Sequence, residues 1–293
     1  MSAPLERSHA ASTALGSSTT IADIDLLLQA HADVFDPVLS ARTALADAVD
    51  LLVAAFSRGG RIVYVGAGTS GWLAALDAAE VVVTYGVRGR VEFVVAGGAT
   101  LDSAAMTLGD DDVEQAQANT LLNSLVADDV LLAVSASGAT PFTLAAAGIA
   151  QERGVRVVAL TNAVNSALSQ IADVSIDIAT AGELVVGSTR LTAGLAQKIA
   201  LNTLSTAAMV RCGRAVDGLM IAVEPLNDKL RERQLTAVAA AGQSSPAAAT
   251  LALQEAGGRG DVAVVMLRKS VSATDAAALL TSVHGNVVMA LSH

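Results

Sequence analysis

Arg61-Ile62-Val63-Tyr64-Val65-Gly66-Ala67-Gly68-Thr69-Ser70-Gly71 reads as a short apolar strand that empties into a glycine-rich turn and opens a helix. A run of β-branched and aromatic residues ending at glycine favours the strand. At the start of the helix that follows, backbone N–H groups point outward without partners and the macrodipole is positive. The small residues let a phosphate approach the main chain, and Thr69 and Ser70 add hydroxyls, so the segment predicts an anion site. Taken alone, such a turn is also ordinary connecting chemistry between a strand and a helix.

A second unit of the same kind follows. Residues 130–134 are apolar, and Ser135-Ala136-Ser137-Gly138-Ala139-Thr140-Pro141 leads from them into another helical stretch. Two such loops at one end of a parallel sheet can hold one phosphorylated ligand between them. Hydroxyl residues before Pro141 are equally good helix-start chemistry, and both uses are compatible.

Working outward, strands at 61–65, 90–95, 129–134, 155–160 and 173–178 alternate with helices near 70–83, 111–126, 141–153 and 166–171. This alternation predicts an α/β fold with a doubly wound parallel sheet, right-handed crossovers and ligand loops at the C-terminal strand ends. Residues 20–58 read as N-terminal helices and residues 1–19 as a mobile segment. The stretch 191–210 is long and apolar on several faces, which predicts a helix buried against the sheet or a second subunit. Residues 235–293 read as a small appendage of three short helices, broken near Ser244-Ser245-Pro246 and Gly257-Gly258-Arg259-Gly260. The expected organisation is therefore 1–19, an α/β domain carrying the two phosphate loops at 20–234 and a helical C-terminal domain at 235–293.

Composition narrows the function classes. The chain has 293 residues, 53% of them hydrophobic, ample for a buried core. Its net charge of −10 and aromatic content of 2% argue against a nucleic-acid surface, which needs clustered cations and stacking platforms. Cys212 is the only cysteine, and His9, His31, His284 and His293 lack ligand-like spacing, so neither a disulfide nor a metal site is expected. There is no long apolar span and no basic segment followed by an apolar one at the start, which predicts a cytoplasmic protein with no membrane partner.

The chain resembles the N-acetylmuramic acid 6-phosphate etherases of the sugar isomerase (SIS) superfamily. The likeness runs through Gly66-Ala67-Gly68-Thr69-Ser70-Gly71, Leu76-Asp77-Ala78-Ala79-Glu80, Thr84-Tyr85-Gly86, Ala96-Gly97-Gly98, Ser137-Gly138 and Thr140-Pro141. It continues in Gly187-Ser188-Thr189-Arg190-Leu191, Ala193-Gly194, Ala196-Gln197-Lys198, Leu201-Asn202-Thr203-Leu204-Ser205-Thr206, Asn227 and Lys229-Leu230. The resemblance implies the SIS fold with a C-terminal helical appendage, a homodimer, and no cofactor. It also implies a lyase that cleaves the D-lactyl ether of N-acetylmuramic acid 6-phosphate to N-acetylglucosamine 6-phosphate and D-lactate by elimination and hydration. Gly68, Thr69, Ser70, Gly71, Ser137, Gly138, Thr140, Glu183, Ser188 and Thr189 are the substrate-binding residues it implies, and Ser135 joins them through the Ser-x-Ser-Gly-x-Thr phosphate grip of sugar-phosphate isomerases and sensors, which the second loop resembles.

The family's two catalytic glutamates fall on Glu80, as the acid that assists lactate departure, and on Asp110, as the base. Asp110 is one methylene shorter than the family's residue, and without the resemblance Asp110-Asp111-Asp112 is a helix cap complementing the dipole. Glu114, one helical turn on, competes for the base. Trp72, Ala139 and Thr192 stand where the etherase pattern has basic residues, and Ser135 stands where it has alanine. These departures keep a second reading open, a sensor, regulator or isomerase on the same fold that binds a phosphorylated amino sugar without etherase chemistry.

Overall fold

The computed structural model describes residues 9–17, 19–98, 109 and 111–292. Its centre is a parallel sheet of β1 (Ile62–Gly66), β2 (Val91–Val95), β3 (Val130–Ser135), β4 (Arg156–Thr161) and β5 (Val174–Asp177), in the order β2-β1-β3-β4-β5. Each strand lies within a residue of its sequence-based position. The register sets Gly66 opposite both Val95 and Val134, and Ser135 opposite Thr161.

Alternate strand residues face opposite ways, so each face of the sheet builds its own core. Ile62, Tyr64, Leu132, Val158, Leu160 and Ile176 pack under α2 (Phe35–Ser40), α3 (Arg42–Ser57), α4 (Gly68–Tyr85) and α9 (Thr192–Arg211). Val63, Val65, Leu131, Ala133, Val157 and Ala159 pack under α5 (Val113–Ala118), α6 (Thr120–Asn123), α7 (Pro141–Glu152) and α8 (Ala167–Ile171). The connection from β1 leaves toward β2, whereas the chain from β2 crosses back to β3 and on to β5. The direction of winding therefore reverses between β1 and β3, which opens a crevice at their C-terminal ends.

Four sequence-based expectations are corrected. The single helix at 111–126 is two: the Asn119 side chain accepts the N–H groups of Leu121 and Leu122 at 3.0 and 3.1 Å and restarts the chain as α6. The long helix α9 is not apolar all round. Ala193, Ala196, Ala200, Leu201, Leu204, Ala208 and Met209 are buried, while Asn202 and Thr203 face solvent, so the helix satisfies its apolar face within one chain against α3 and α4. The segment expected to be mobile is tethered where it is described. The His9 N–H donates to the Glu183 carbonyl at 3.3 Å and the Ser12 hydroxyl to the same oxygen at 3.4 Å.

The tail is the fourth correction. It holds five helices: α10 (Asp228–Ala241), α11 (Pro246–Glu255), α12 (Gly260–Lys269), α13 (Ala273–Ser282) and α14 (Val287–Ser292). A boundary at 234 falls inside α10, and a separate apolar core gathers Val216 and Ile221 with Val238, Val264, Leu280 and Val287. Ahead of the sheet, α1 (Thr20–Ala32) is capped by Thr19, whose hydroxyl accepts the Ala22 N–H. No described helix is long and apolar enough to cross a membrane.

Candidate active site

At the first loop, Ala67 is the extended N-cap residue of α4 and makes no side-chain cap. The opening N–H groups of α4 thus remain available to an anion. The glycines around them are required by packing. A Cβ on Gly71 would stand 2.6 Å from the carbonyl carbon and oxygen of Gly66, and one on Gly66 would stand 2.9 Å from the Val134 carbonyl oxygen. β1, β3 and the start of α4 therefore meet backbone to backbone.

The second loop, after β3, is organised by Ser135. Its buried hydroxyl accepts the Gly138 N–H at 3.0 Å and lies 2.8 Å from the Thr140 hydroxyl. The Ser137 hydroxyl accepts the Ala139 N–H at 3.2 Å and stays near the surface. Gly138 adopts φ +62° and packs against Ser166, so a side chain is excluded on two grounds. Thr140 precedes α7 as an N-cap residue without a side-chain bond to the helix, and Pro141 takes the first helical position. Because β1 and β3 are neighbours, both hydroxyl loops border the crevice.

The start of α9 joins them. The Cβ position of Gly194 is 3.6 Å from the Thr69 methyl group, which sets the Ser188-Thr189 turn beside the first loop. Glu183 plays a different part from the substrate contact expected of it. It is fully buried, and its two carboxylate oxygens accept the N–H groups of Thr192 and Ala193 at 2.9 and 3.0 Å. Its charge is thereby committed to the N-terminus of α9, where the helix dipole favours a carboxylate.

Glu80 lies elsewhere along α4, in an open cleft of about 630 Å³ between α4 and α9, lined by Asp77, Thr84, Tyr85, Asn202 and Ser205. Its side chain is 58% exposed and pairs with the Lys198 ammonium at 3.1 Å. Beneath it Asp77, 2% exposed, accepts hydrogen bonds from the Tyr64 hydroxyl at 3.0 Å and the Ser205 hydroxyl at 3.2 Å. Burial pushes the Asp77 pKa above the usual carboxylate range, against the pull of those two donors and Lys198. Burial and the Asp77 charge likewise push the Tyr64 phenol well up.

Asp110 lies outside the described residues. Around it, Gly109 packs on Ala96 and Gly97 at the end of β2, and the Asp112 carboxylate accepts the Gln115 N–H at 2.7 Å as the cap of α5. Glu114 is exposed in the first turn of α5. Of the positions where the etherase pattern has cations, Trp72 and Thr192 carry buried polar atoms, Nε1 and Oγ1 respectively, without a partner among the described residues.

A comparison with known proteins matches the SIS domain family over residues 29–162. The N-acetylmuramic acid 6-phosphate etherase of Edwardsiella ictaluri (strain 93-146) is 38% identical over 287 residues, covering 98% of this chain and 96% of that protein. The protein of the same name from Symbiobacterium thermophilum is 42% identical over 224 residues, covering 76% of this chain and 74% of its own length.

The chain belongs to the N-acetylmuramic acid 6-phosphate etherase family.

The solved phosphoheptose isomerase from Francisella tularensis is similar in fold, with a TM-score of 0.50 at 18% identity over 65% of this chain and 98% of that one. For an etherase, three residues in or beside this site escaped sequence reasoning as functional candidates. Lys198 and Asp77 sat inside the motifs of the resemblance without a role: Lys198 meets Glu80, and Ser205 meets Asp77, only once α9 is laid along α4. Arg190, at the turn before α9, is exposed and has no carboxylate partner among the described residues. The available signal was its position next to Ser188 and Thr189.

Proposed function

We propose that this chain cleaves the D-lactyl ether of N-acetylmuramic acid 6-phosphate, yielding N-acetylglucosamine 6-phosphate and D-lactate. The observation that carries the reading is the convergence of three helix starts, those of α4, α7 and α9, with their hydroxyl turns at the β1–β3 crevice. The phosphate dianion takes the N–H groups of Gly68, Thr69 and Ser70 and the hydroxyls of Ser137 and Thr140, with Gly71, Ser135 and Gly138 holding the loops in shape and Ser188 and Thr189 closing the side. Ring opening exposes an aldehyde that acidifies the proton on carbon 2. The base, Asp110 or Glu114, takes that proton, the electron pair moves to the carbonyl, and the carbon 3–oxygen bond breaks as Glu80 protonates the departing lactate. Water then adds to carbon 3 of the unsaturated intermediate, and the proton returns to carbon 2.

The working unit of this reading is a homodimer. Glu80 stands eleven residues along α4 from Thr69, about 16 Å at 1.5 Å per residue. Six covalent bonds separate the phosphorus from carbon 2 of the sugar, a reach of at most about 8 Å. A sugar anchored at one chain's loops therefore meets the Glu80 of a second copy. Ile21, Ile24 and Leu28 of α1, with Phe35 and Leu39 of α2, form an exposed apolar stripe that a second copy can bury, whereas most of the apolar face of α9 is already covered by its own chain. Purified protein should release D-lactate from N-acetylmuramic acid 6-phosphate and run as a dimer in light scattering. Sugar phosphate that binds without lactate release removes the etherase reading, and an active monomer removes the dimeric one.

A further inference from the structure

Away from the crevice, the junction between the α/β body and the C-terminal helices holds two adjoining clefts of about 380 and 310 Å³ that share Gly86, Arg214, Arg259 and Asp261. Arg88, Arg90 and His284 complete the smaller one. Four of the chain's 18 Lys and Arg residues thus gather in one place on a protein of net charge −10. Two carboxylates answer them. Glu224 pairs with Arg88 at 2.6 Å, and Asp261 pairs with Arg259 at 2.9 Å and Arg214 at 3.5 Å.

The remaining donors go to uncharged acceptors. Arg214, 8% exposed, donates to the carbonyls of Tyr85, Gly86 and Gly285. Arg90 donates to the carbonyls of Phe56 and Gly60 and lies 4.1 Å over the Phe56 ring. Carbonyls hold a guanidinium in place without cancelling its charge, so Arg90, which has no carboxylate partner among the described residues, and Arg214, which shares the Asp261 carboxylate with Arg259, leave the recess with an excess of positive charge. Burial and their cationic neighbours lower the pKa of both. Among the described residues the Nη1 groups of Arg90 and Arg259 have no acceptor.

We propose that this junction is a second anion site, shaped for a small phosphate monoester and separate from the sugar-phosphate loops. Four guanidiniums against two carboxylates leave a charge deficit that a dianion fills, and planar forks arriving from several elements suit tetrahedral oxygens. A volume of about 310 Å³ is at the small end of ligand pockets, which limits the ester to a few carbons. The occupant ties the 87–90 turn and the last turn of α4, through Arg214, to the start of α12 and the end of α13. It therefore stands against the helix that carries Glu80.

Inorganic phosphate is the probe, measured by equilibrium dialysis and isothermal titration on the full chain. Wild-type protein is expected to bind two phosphates per chain. Ser137→Asp should remove one of them and Arg88→Gln/Arg259→Gln the other, with melting temperature checked for each variant. Single-site binding abolished by Ser137→Asp, or two-site binding retained by a folded Arg88→Gln/Arg259→Gln protein, overturns the proposal. Should that pair of substitutions unfold the chain, Arg88→Gln alone, at a side chain 70% exposed, must still weaken the second phosphate at least severalfold.

Discussion

Mixing two inactive variants tests whether Glu80 works on the sugar of the other subunit. Glu80→Gln removes the proton donor, and loss of a general acid costs about 100-fold or more in turnover. Ser137→Asp sets a carboxylate where the phosphate dianion should sit and blocks binding by like-charge repulsion. Each homodimer is then inactive. In a mixed dimer, one site combines both lesions while the other joins an intact loop to an intact Glu80. With random assortment half of the dimers are mixed and half of their sites are whole, so about a quarter of wild-type D-lactate release returns. The basis is the span of α4: about 16 Å from Thr69 to Glu80, which a side-chain reach of about 4 Å does not reconcile with a substrate reach of at most about 8 Å. If the site lay within one chain, every site in the mixture would carry a lesion and lactate would stay at background. That result, with mixed dimers verified by mass, refutes the cross-subunit reasoning.

Three further outcomes are expected. Ser137→Ala should weaken sugar phosphate binding by about 1.5–3 kcal/mol in calorimetry, the usual worth of a hydrogen bond to a charged group, and unchanged affinity removes that contact. Asp110→Asn should abolish exchange of the carbon 2 proton with D₂O in NMR while leaving binding intact, since the amide keeps the side chain's size and removes only its basicity; loss of exchange in Glu114→Gln alone transfers the role. Asp129 gives a pH signature: burial would raise its pKa, but hydrogen bonds from the Arg61 side chain and the backbone N–H groups of Arg61 and Val126 outweigh it and leave it low. A lowered folded pKa stabilises the protein above the unfolded carboxylate range near about pH 4 and loses that effect as pH falls through the folded value. Asp129→Asn should therefore melt lower than wild type at neutral pH, with the gap closing toward about pH 3, and a gap that stays constant over that range contradicts it.

The sheet was legible because its central strands β1, β3 and β4 are compact apolar runs, the pattern of parallel strands buried on both faces, and the half-exposed edge strands β2 and β5 fall into the same strand–helix alternation. The tail was harder to read. Its Ala-rich helices lack contrast between faces, so the stops at Ser270 and at His284-Gly285, where the chain turns left-handed, leave little trace in the pattern. In the site, the hydroxyl loops were readable from local chemistry, since strand, turn and helix start are contiguous. Glu183 was not, because its partners at 192 and 193 are recognisable only once the intervening turn closes. The same limit hid Lys198, whose contact with Glu80 spans 118 positions of sequence.

The interlock of Gly66, Gly71 and Val134 leaves no room for even a methyl group between β1, β3 and α4. A helix seated in this way cannot slide along the strand, so on the proposed reading the phosphate loop needs little rearrangement and binding spends little free energy on it. It also acts as a fixed zero from which the length of a ligand is measured. On the proposed reading every sugar phosphate enters at that point, and what distinguishes one from another is decided several ångströms away, where side chains rather than backbone face the ligand. New selectivity in this scaffold is therefore to be sought at that far end, with the glycines left untouched.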